Sequence, residues 1–151
     1  MKKIYLIFLL NFFVFVLYSQ KITEKITFKS ANPFSFYDVI TNLKNQEKQE
    51  VKGILTIPVN ETDPLKKYPL VIGVAGSLGW KDHHYEYLKM YQNMGIATFE
   101  LNSFKSRNIT TTVGSQTEVT TAAMVLDAYR ALEVLSNHPN IDKNNVSITG
   151  W

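Results

Sequence analysis

The sequence predicts an α/β fold built on a mainly parallel sheet. Three observations carry that expectation. The run "LVIGVAG" (70–76) is continuously apolar rather than alternating, as in a strand buried on both faces. From that strand onward, strand-like and helix-like segments take turns along the chain. Two further strand-like segments precede it, so a pair of leading strands stands ahead of the alternating part.

Taken in order, residues 1–20 read "MKKIYLIFLLNFFVFVLYSQ", with Lys2 and Lys3 before a stretch from Ile4 to Tyr18 that is apolar except for Asn11. That stretch is 15 residues long, short of the roughly 20 that span a bilayer. The order basic, apolar, then small and polar is that of a secretory signal peptide, with cleavage after Ser19 or Gln20 and export as its consequence. An uncleaved signal anchor is the alternative. "ITEKITFKS" (22–30) alternates as an edge strand, and "ANPFSFYDVITNLKNQEKQE" reads as a polar connection with a short apolar patch. "VKGILTIPV" (51–59) is a second strand in which Gly53 suggests a bulge. "NETDPLKKYP" is a turn closed by Pro69, and "LVIGVAG" follows.

Asp82 is placed to cap a helix running to about Met94, with Tyr85, Leu88, Tyr91 and Met94 on one face and Gly95 as its stop. "IATFELNSF" (96–104) is the next strand. "SQTE" (115–118) has the form of a capping box, and Val119, Ala122, Leu126, Tyr129, Leu132 and Leu135 continue at helical spacing to about Asn137, where Pro139 ends the helix. "IDKNNVSITGW" adds a turn and a strand, Val146 to Thr149, that runs into Gly150 and Trp151.

Composition narrows the function. The formal charge of +3 and pI near 9.0 owe much to Lys2 and Lys3; without them 14 basic residues face 13 acidic ones. No nucleic-acid partner is expected from so even a balance. The chain has no cysteine, which excludes disulfides and a lipid-anchored cysteine. Glycosylation matches at Asn60, Asn108 and Asn145 carry little weight.

The chemistry concentrates in "VIGVAGSLGWKD" (71–82). Gly73, Gly76 and Gly79 spell a G-x-x-G-x-x-G after a buried strand, and Glu100 closes the next strand 21 residues after Gly79, as in a dinucleotide-binding unit. Against that reading stand the signal segment, the two leading strands, and Trp80 and Lys81 between the turn and the helix start. The same turn can instead aim backbone N–H groups at the oxyanion of an ester under attack, and that reading expects a G-x-S-x-G nucleophile elbow further on. The chain reaches Gly150-Trp151, the first two residues of such a motif.

Taken together, "ITFKSANPFSFYDVI", "VKGILTIPV", "YPLVIGVAGSLGWKDH", "GIATFELNSFKSRN" and "DAYRALEVLSNHPNIDKNNVSITGW" resemble the dienelactone hydrolase family of α/β-hydrolases over residues 26–151. The resemblance implies an α/β-hydrolase fold truncated after the strand leading to the nucleophile elbow, with residues 21–151 as the N-terminal part of the domain. It implies a hydrolase of ester or lactone bonds acting on a small-molecule substrate without cofactor. The nucleophile, Ser or Cys, would follow Trp151, and the His and acid would lie further on, so none of the three is in this chain. The oxyanion donor carried onto this chain is the Ser77 N–H, with Leu78 next in line. Ser103, Phe104 and Arg107 fall where relatives place a loop beside the active-site mouth. Relatives commonly have His-Gly where Ala75-Gly76 stands here, so a side chain that braces the loop is missing.

Two other functions stay open at this point: a prolyl-oligopeptidase-type serine peptidase, and a non-catalytic binding module on the hydrolase fold. The remaining titratable residues read as structural. His83 and His84 are adjacent on a helix and point about 100° apart, unsuited to share a metal, and both read as surface residues. His138 reads as a cap on helical carbonyls, and Glu100 and Asp127 as structural acids, so no metal ligands are expected.

Overall fold

Alternating side chains in the first two strands put one face of each against the protein. In β1 (Lys21–Ala31) the inward positions include Ile26, Phe28 and Ser30, and in β2 (Lys48–Pro58) they include Val51, Leu55 and Ile57. The computed structural model describes residues 21–58, 63 and 65–151, so the expected signal segment, its cleavage site and Asn60 lie outside the described residues. β1 and β2 pair antiparallel over their whole length, and β2 pairs antiparallel with β4 (Ala97–Leu101). β3 (Tyr68–Val74) then lies parallel between β4 and β5 (Ile141–Gly150), giving the order β1-β2-β4-β3-β5. The continuous apolar run was thus a sound sign of a central strand: Leu70 and Ile72 are fully buried.

The two long helices cover opposite faces of this sheet. α2 (Asp82–Asn93) links β3 to β4 and lies over Ile54, Thr56, Thr98 and Glu100, where the Gln92 amide donates to the Thr98 hydroxyl at 2.8 Å. α3 (Thr121–Leu135) links β4 to β5 and packs Ala128, Ala131 and Leu135 against Phe28, Val51, Leu55, Phe99 and Ile141. Parallel crossovers through helices on both faces are what bury β3 on both sides. Among the described residues no helix is long and apolar enough to cross a membrane.

Several local expectations are corrected. The connection after β1 contains a short helix, α1 (Phe36–Thr41), whose Ser35–Asp38 capping box closes with the Ser35 N–H on the Asp38 carboxylate at 2.9 Å. Gly53 makes no bulge; it stays in register with Ile26 and Leu101, and a Cβ there would collide with the Phe99 ring and the Glu100 carbonyl. Close approach, not irregularity, requires the glycine. α2 is capped from Lys81, whose N–H donates to His84 Nδ1 at 3.1 Å, while Asp82 is the first helical residue. Ser115 and Glu118 form turns instead of a capping box. α3 starts at Thr121 because the Thr120 hydroxyl accepts from the Ala123 N–H at 3.1 Å and donates to the Pro33 carbonyl at 2.6 Å, a tertiary anchor that local pattern does not encode. Tyr129, expected on the buried face, is 62% exposed.

Candidate active site

The carboxyl ends of β3, β4 and β5 meet at one edge of the sheet, and the loops that leave them form the site. Trp151 continues the ladder by donating its N–H to the Val74 carbonyl at 3.2 Å. Beyond Val74 the loop 75–81 turns back on itself. The Gly79 N–H donates to the Gly76 carbonyl at 2.8 Å, and Gly79 takes a φ of +69°, a conformation that favours glycine. Gly76 lies so close to the end of β5 that a Cβ on it would collide with the Trp151 carbonyl oxygen.

This loop fixes two backbone donors. In a trans peptide the C=O and N–H point opposite ways, and there is no cis bond among the described residues. The Gly76 carbonyl is held by Gly79, which sets the direction of the Ser77 N–H. The Ser77 carbonyl accepts from the Thr112 N–H at 2.9 Å and the Thr111 hydroxyl at 3.0 Å, which sets the direction of the Leu78 N–H. Neither N–H has an acceptor among the described residues. Ser77 and Leu78 are both exposed.

Aromatic rings join the loop to β5. Trp151 stacks on His84 with ring centroids 5.1 Å apart and on Tyr87 at 6.1 Å, and meets the edge of Trp80 at 5.8 Å. Gly73 leaves room for this, since a Cβ there would crowd the Trp80 and Trp151 rings, and the Trp80 indole N–H donates to the Leu101 carbonyl at 2.9 Å. His84 is therefore not a surface residue but 5% exposed. Burial first, then His83 and Lys81, hold its pKa below the usual value. His83 is exposed as expected. The Tyr85 phenol is pushed up by burial, then by the charge and hydrogen bond of Glu100, then by Asp82.

A cavity of about 140 Å³ opens beside the loop. Val74, Leu78, Trp80, Leu101, Phe104 and Ile109 supply apolar wall, and Asn102 and Ser103 supply polar wall. The exposed Lys81 and Lys105 also line it. Of the three pocket candidates, Ser103 and Phe104 face this cavity and Arg107 does not. The Arg107 guanidinium is buried in an ion pair with Asp127 (2.7 and 3.1 Å), whose other donor is the Ser30 hydroxyl at 2.6 Å. It also donates to the carbonyls of Ser103 and Ala31 and to Asn32 Oδ1, so it fastens the cavity's floor to β1 and α3. Asp127 is structural, as expected. His138 caps α3 through its backbone, the N–H donating to the Leu135 carbonyl at 3.0 Å, while its ring accepts from the Asn140 N–H at 3.3 Å and meets Glu24 at 3.3 Å. Asn102 and Trp80 were not singled out as site residues and His84 was read as a surface residue, because what recruits them is the meeting of three strand ends. No group of three or more His, Asp or Glu side chains among the described residues is placed to hold a metal ion.

No protein-family model matches the sequence, and no curated protein matches it. Solved structures do match. A Klebsiella pneumoniae protein assigned as a dienelactone hydrolase aligns at TM-score 0.53 and 15% identity, over 85% of this chain and 50% of that one. An esterase from Pyrobaculum calidifontis aligns at TM-score 0.51 and 13% identity, over 85% of this chain and 35% of that one. A Bacteroides ovatus protein assigned as a dipeptidyl aminopeptidase IV aligns at TM-score 0.54 and 19% identity, over 90% of this chain and 18% of that one. The chain spans half or less of the length of these structures. With the sheet order β1-β2-β4-β3-β5, helices on both faces and these neighbours, the chain has the α/β-hydrolase fold and is similar in structure to dienelactone hydrolase-like proteins.

Proposed function

We propose that the full-length protein hydrolyses carboxylic esters or lactones by nucleophilic acyl transfer, with the nucleophile next after Trp151. The observation that carries this reading is the contact of Gly76 with the Trp151 carbonyl. It brings the loop that carries the Ser77 N–H, whose direction is already fixed, against the residue before the expected nucleophile, and so supports the reading. A donor fixed before the reaction stabilises the developing oxyanion without reorganising, which is where catalysis of this kind gains most. The second donor would be the N–H of the nucleophile itself. Ser77 is the first choice for the loop donor and Leu78 the second, while Ser103 and Phe104 line the space beside the carbonyl. Export follows from the segment 1–20 and its basic-then-apolar order.

Labelling of the full-length protein by a fluorophosphonate or, for a cysteine, by iodoacetamide tests the placement. The modified peptide is expected to begin its reactive residue directly after Trp151, with turnover of a short ester. Cleavage of a dipeptidyl anilide without ester turnover would point to a peptidase instead, and folded protein with neither label nor turnover would point to a binding module.

A further inference from the structure

We propose that His84 is a positioning residue for the candidate site: as a neutral imidazole it braces the far end of the loop 75–81 against Trp151, and on taking a proton it releases that end. The proposal rests on the ester or lactone reading above and adds how pH regulates the same site. At its near end the loop meets the end of β5 through backbone, Gly76 against the Trp151 carbonyl. At its far end the contact runs through side chains. Both backbone groups of Lys81, the last residue of the loop, are held by His84, whose N–H donates to the Lys81 carbonyl at 2.9 Å and whose Nδ1 accepts from the Lys81 N–H at 3.1 Å. The same imidazole stacks on the Trp151 ring at 5.1 Å, with 29° between the planes, and meets the Trp80 ring edge-on at 5.6 Å. One buried side chain thus ties the end of the loop to the residue before the expected nucleophile.

The hydrogen bond dictates the protonation state. A ring nitrogen that accepts carries no proton, so the proton of the neutral ring is on Nε2. A second proton has only Nδ1 to go to, where it would face the Lys81 N–H donor to donor, and α2 would lose this half of its N-terminal cap. The charged and titratable groups facing the ring are His83, with ring centroids 3.9 Å apart, and Lys81; Trp80 and Trp151, packed on it from the loop and from the end of β5, carry no charge. The indole face by itself favours a cation. Burial first, then His83 and Lys81, outweigh it and keep the ring neutral below the ordinary histidine range.

Precision makes the brace matter. A misplacement of about 1 Å in a reacting geometry can cost about 100-fold in rate. Gly76 fixes only one end of a seven-residue loop, so a loop released from His84 at Lys81 is free to shift the donors it carries relative to Trp151. Such a shift weakens a bond that strengthens only as charge develops, and it is therefore read in kcat more than in KM.

The test uses the full-length protein and a short activated ester. At about pH 8, above the ordinary histidine value, His84→Ala should lower kcat at least about tenfold with KM within about threefold. His84→Asn puts an amide oxygen where Nδ1 stands, keeps the acceptor for the Lys81 N–H, and should stay within about threefold of wild type in both constants. Below about pH 6.5 the two part. Wild type should lose kcat/KM with a slope approaching two protons, one for the expected base and one for His84, and His84→Asn with a slope of one. Nitrogen NMR of the imidazoles, assigned by the signals missing from His84→Asn, should show a bare Nδ1 at about pH 8, and the Lys81 and Trp151 amide signals should shift as His84 titrates. Unchanged kcat in folded His84→Ala, equal slopes in wild type and His84→Asn, or a protonated Nδ1 at the higher pH overturns the proposal and leaves the hydrolase reading standing. Where His84→Ala does not fold, the slopes decide. No ester turnover by wild type sinks the hydrolase reading, and the brace then stands or falls on whether the Trp151 amide follows the titration of His84.

Discussion

Replacing Arg107 by Ala should cost the protein more than any surface substitution, and the structure says why. The guanidinium side chain is 5% exposed and its partner Asp127 is not exposed at all. Removing it leaves the Asp127 carboxylate buried with the Ser30 hydroxyl as its remaining donor, and also strips hydrogen bonds from Asn32 Oδ1 and from the carbonyls of Ser103 and Ala31. Breaking one side of a buried pair costs about 3–5 kcal/mol, because the other charge stays in the interior. For a chain of this size that corresponds to roughly 6–20 °C in Tm. Arg107→Lys keeps the charge but not the planar fork, and should fall between the two. The control is the double variant Arg107→Met, Asp127→Leu, which removes both charges and should recover most of the loss. Thermal and urea melts read all three. A single variant within about 1 kcal/mol of wild type, or a double variant no better than the single, would refute the claim that an uncompensated buried charge is the cause.

Two further outcomes follow from the same region. Gly76→Ala should lower Tm and, in the protein that still folds, lower ester turnover at least tenfold, because its Cβ would collide with the Trp151 backbone carbonyl and push the loop away; unchanged kcat would show that the contact does not position the donor. Stability should also fall as pH drops below about 6.5, the ordinary histidine value, since the buried His84 resists a proton that the unfolded chain accepts. The contribution is full above that value and is lost on the acid side. His84→Phe, which keeps a ring against Trp151, should flatten that part of the Tm–pH curve, and an unchanged slope would assign it to other groups.

How much of this the sequence disclosed depends on the range over which each signal acts. β3 was legible because burial on both faces leaves an unbroken apolar run, and Gly95 because the stop of α2 needs a positive φ, here +79°. α1 was hidden because six residues are too few to show a helical period. The true start of α3 was hidden because Thr120 is fixed partly by Pro33, 87 positions away. His84 read as exposed since nothing local says that Trp151 stacks on it. The Arg107–Asp127 pair joins residues 20 apart whose partners come from β1. The glycine turn itself was legible as a turn, whereas its approach to the end of β5 was not, since that contact joins Gly76 to Trp151.

That contact makes Ser77 the residue where backbone and side-chain roles can be told apart. The Ser77 hydroxyl forms no hydrogen bond among the described residues, while the N–H is aimed by the Gly76 carbonyl's bond to Gly79. Ser77→Ala keeps the N–H and should leave kcat within about threefold of wild type. Ser77→Pro deletes the N–H, and losing one oxyanion donor typically lowers kcat by about 100- to 1000-fold, or about 3–4 kcal/mol. KM should move little, because the bond strengthens only as charge develops on the oxygen. Circular dichroism and Tm separate this from a collapsed loop, and Thr111→Val adds a check, since it removes one of the hydrogen bonds on the Ser77 carbonyl, which aims the Leu78 N–H, and leaves the Gly76 carbonyl that aims the Ser77 N–H untouched. If Leu78 is the donor, Thr111→Val should lower kcat more than Ser77→Ala does. An alanine variant that loses as much kcat as the proline variant, while still folded, would move the role to the hydroxyl and overturn the assignment of a backbone donor.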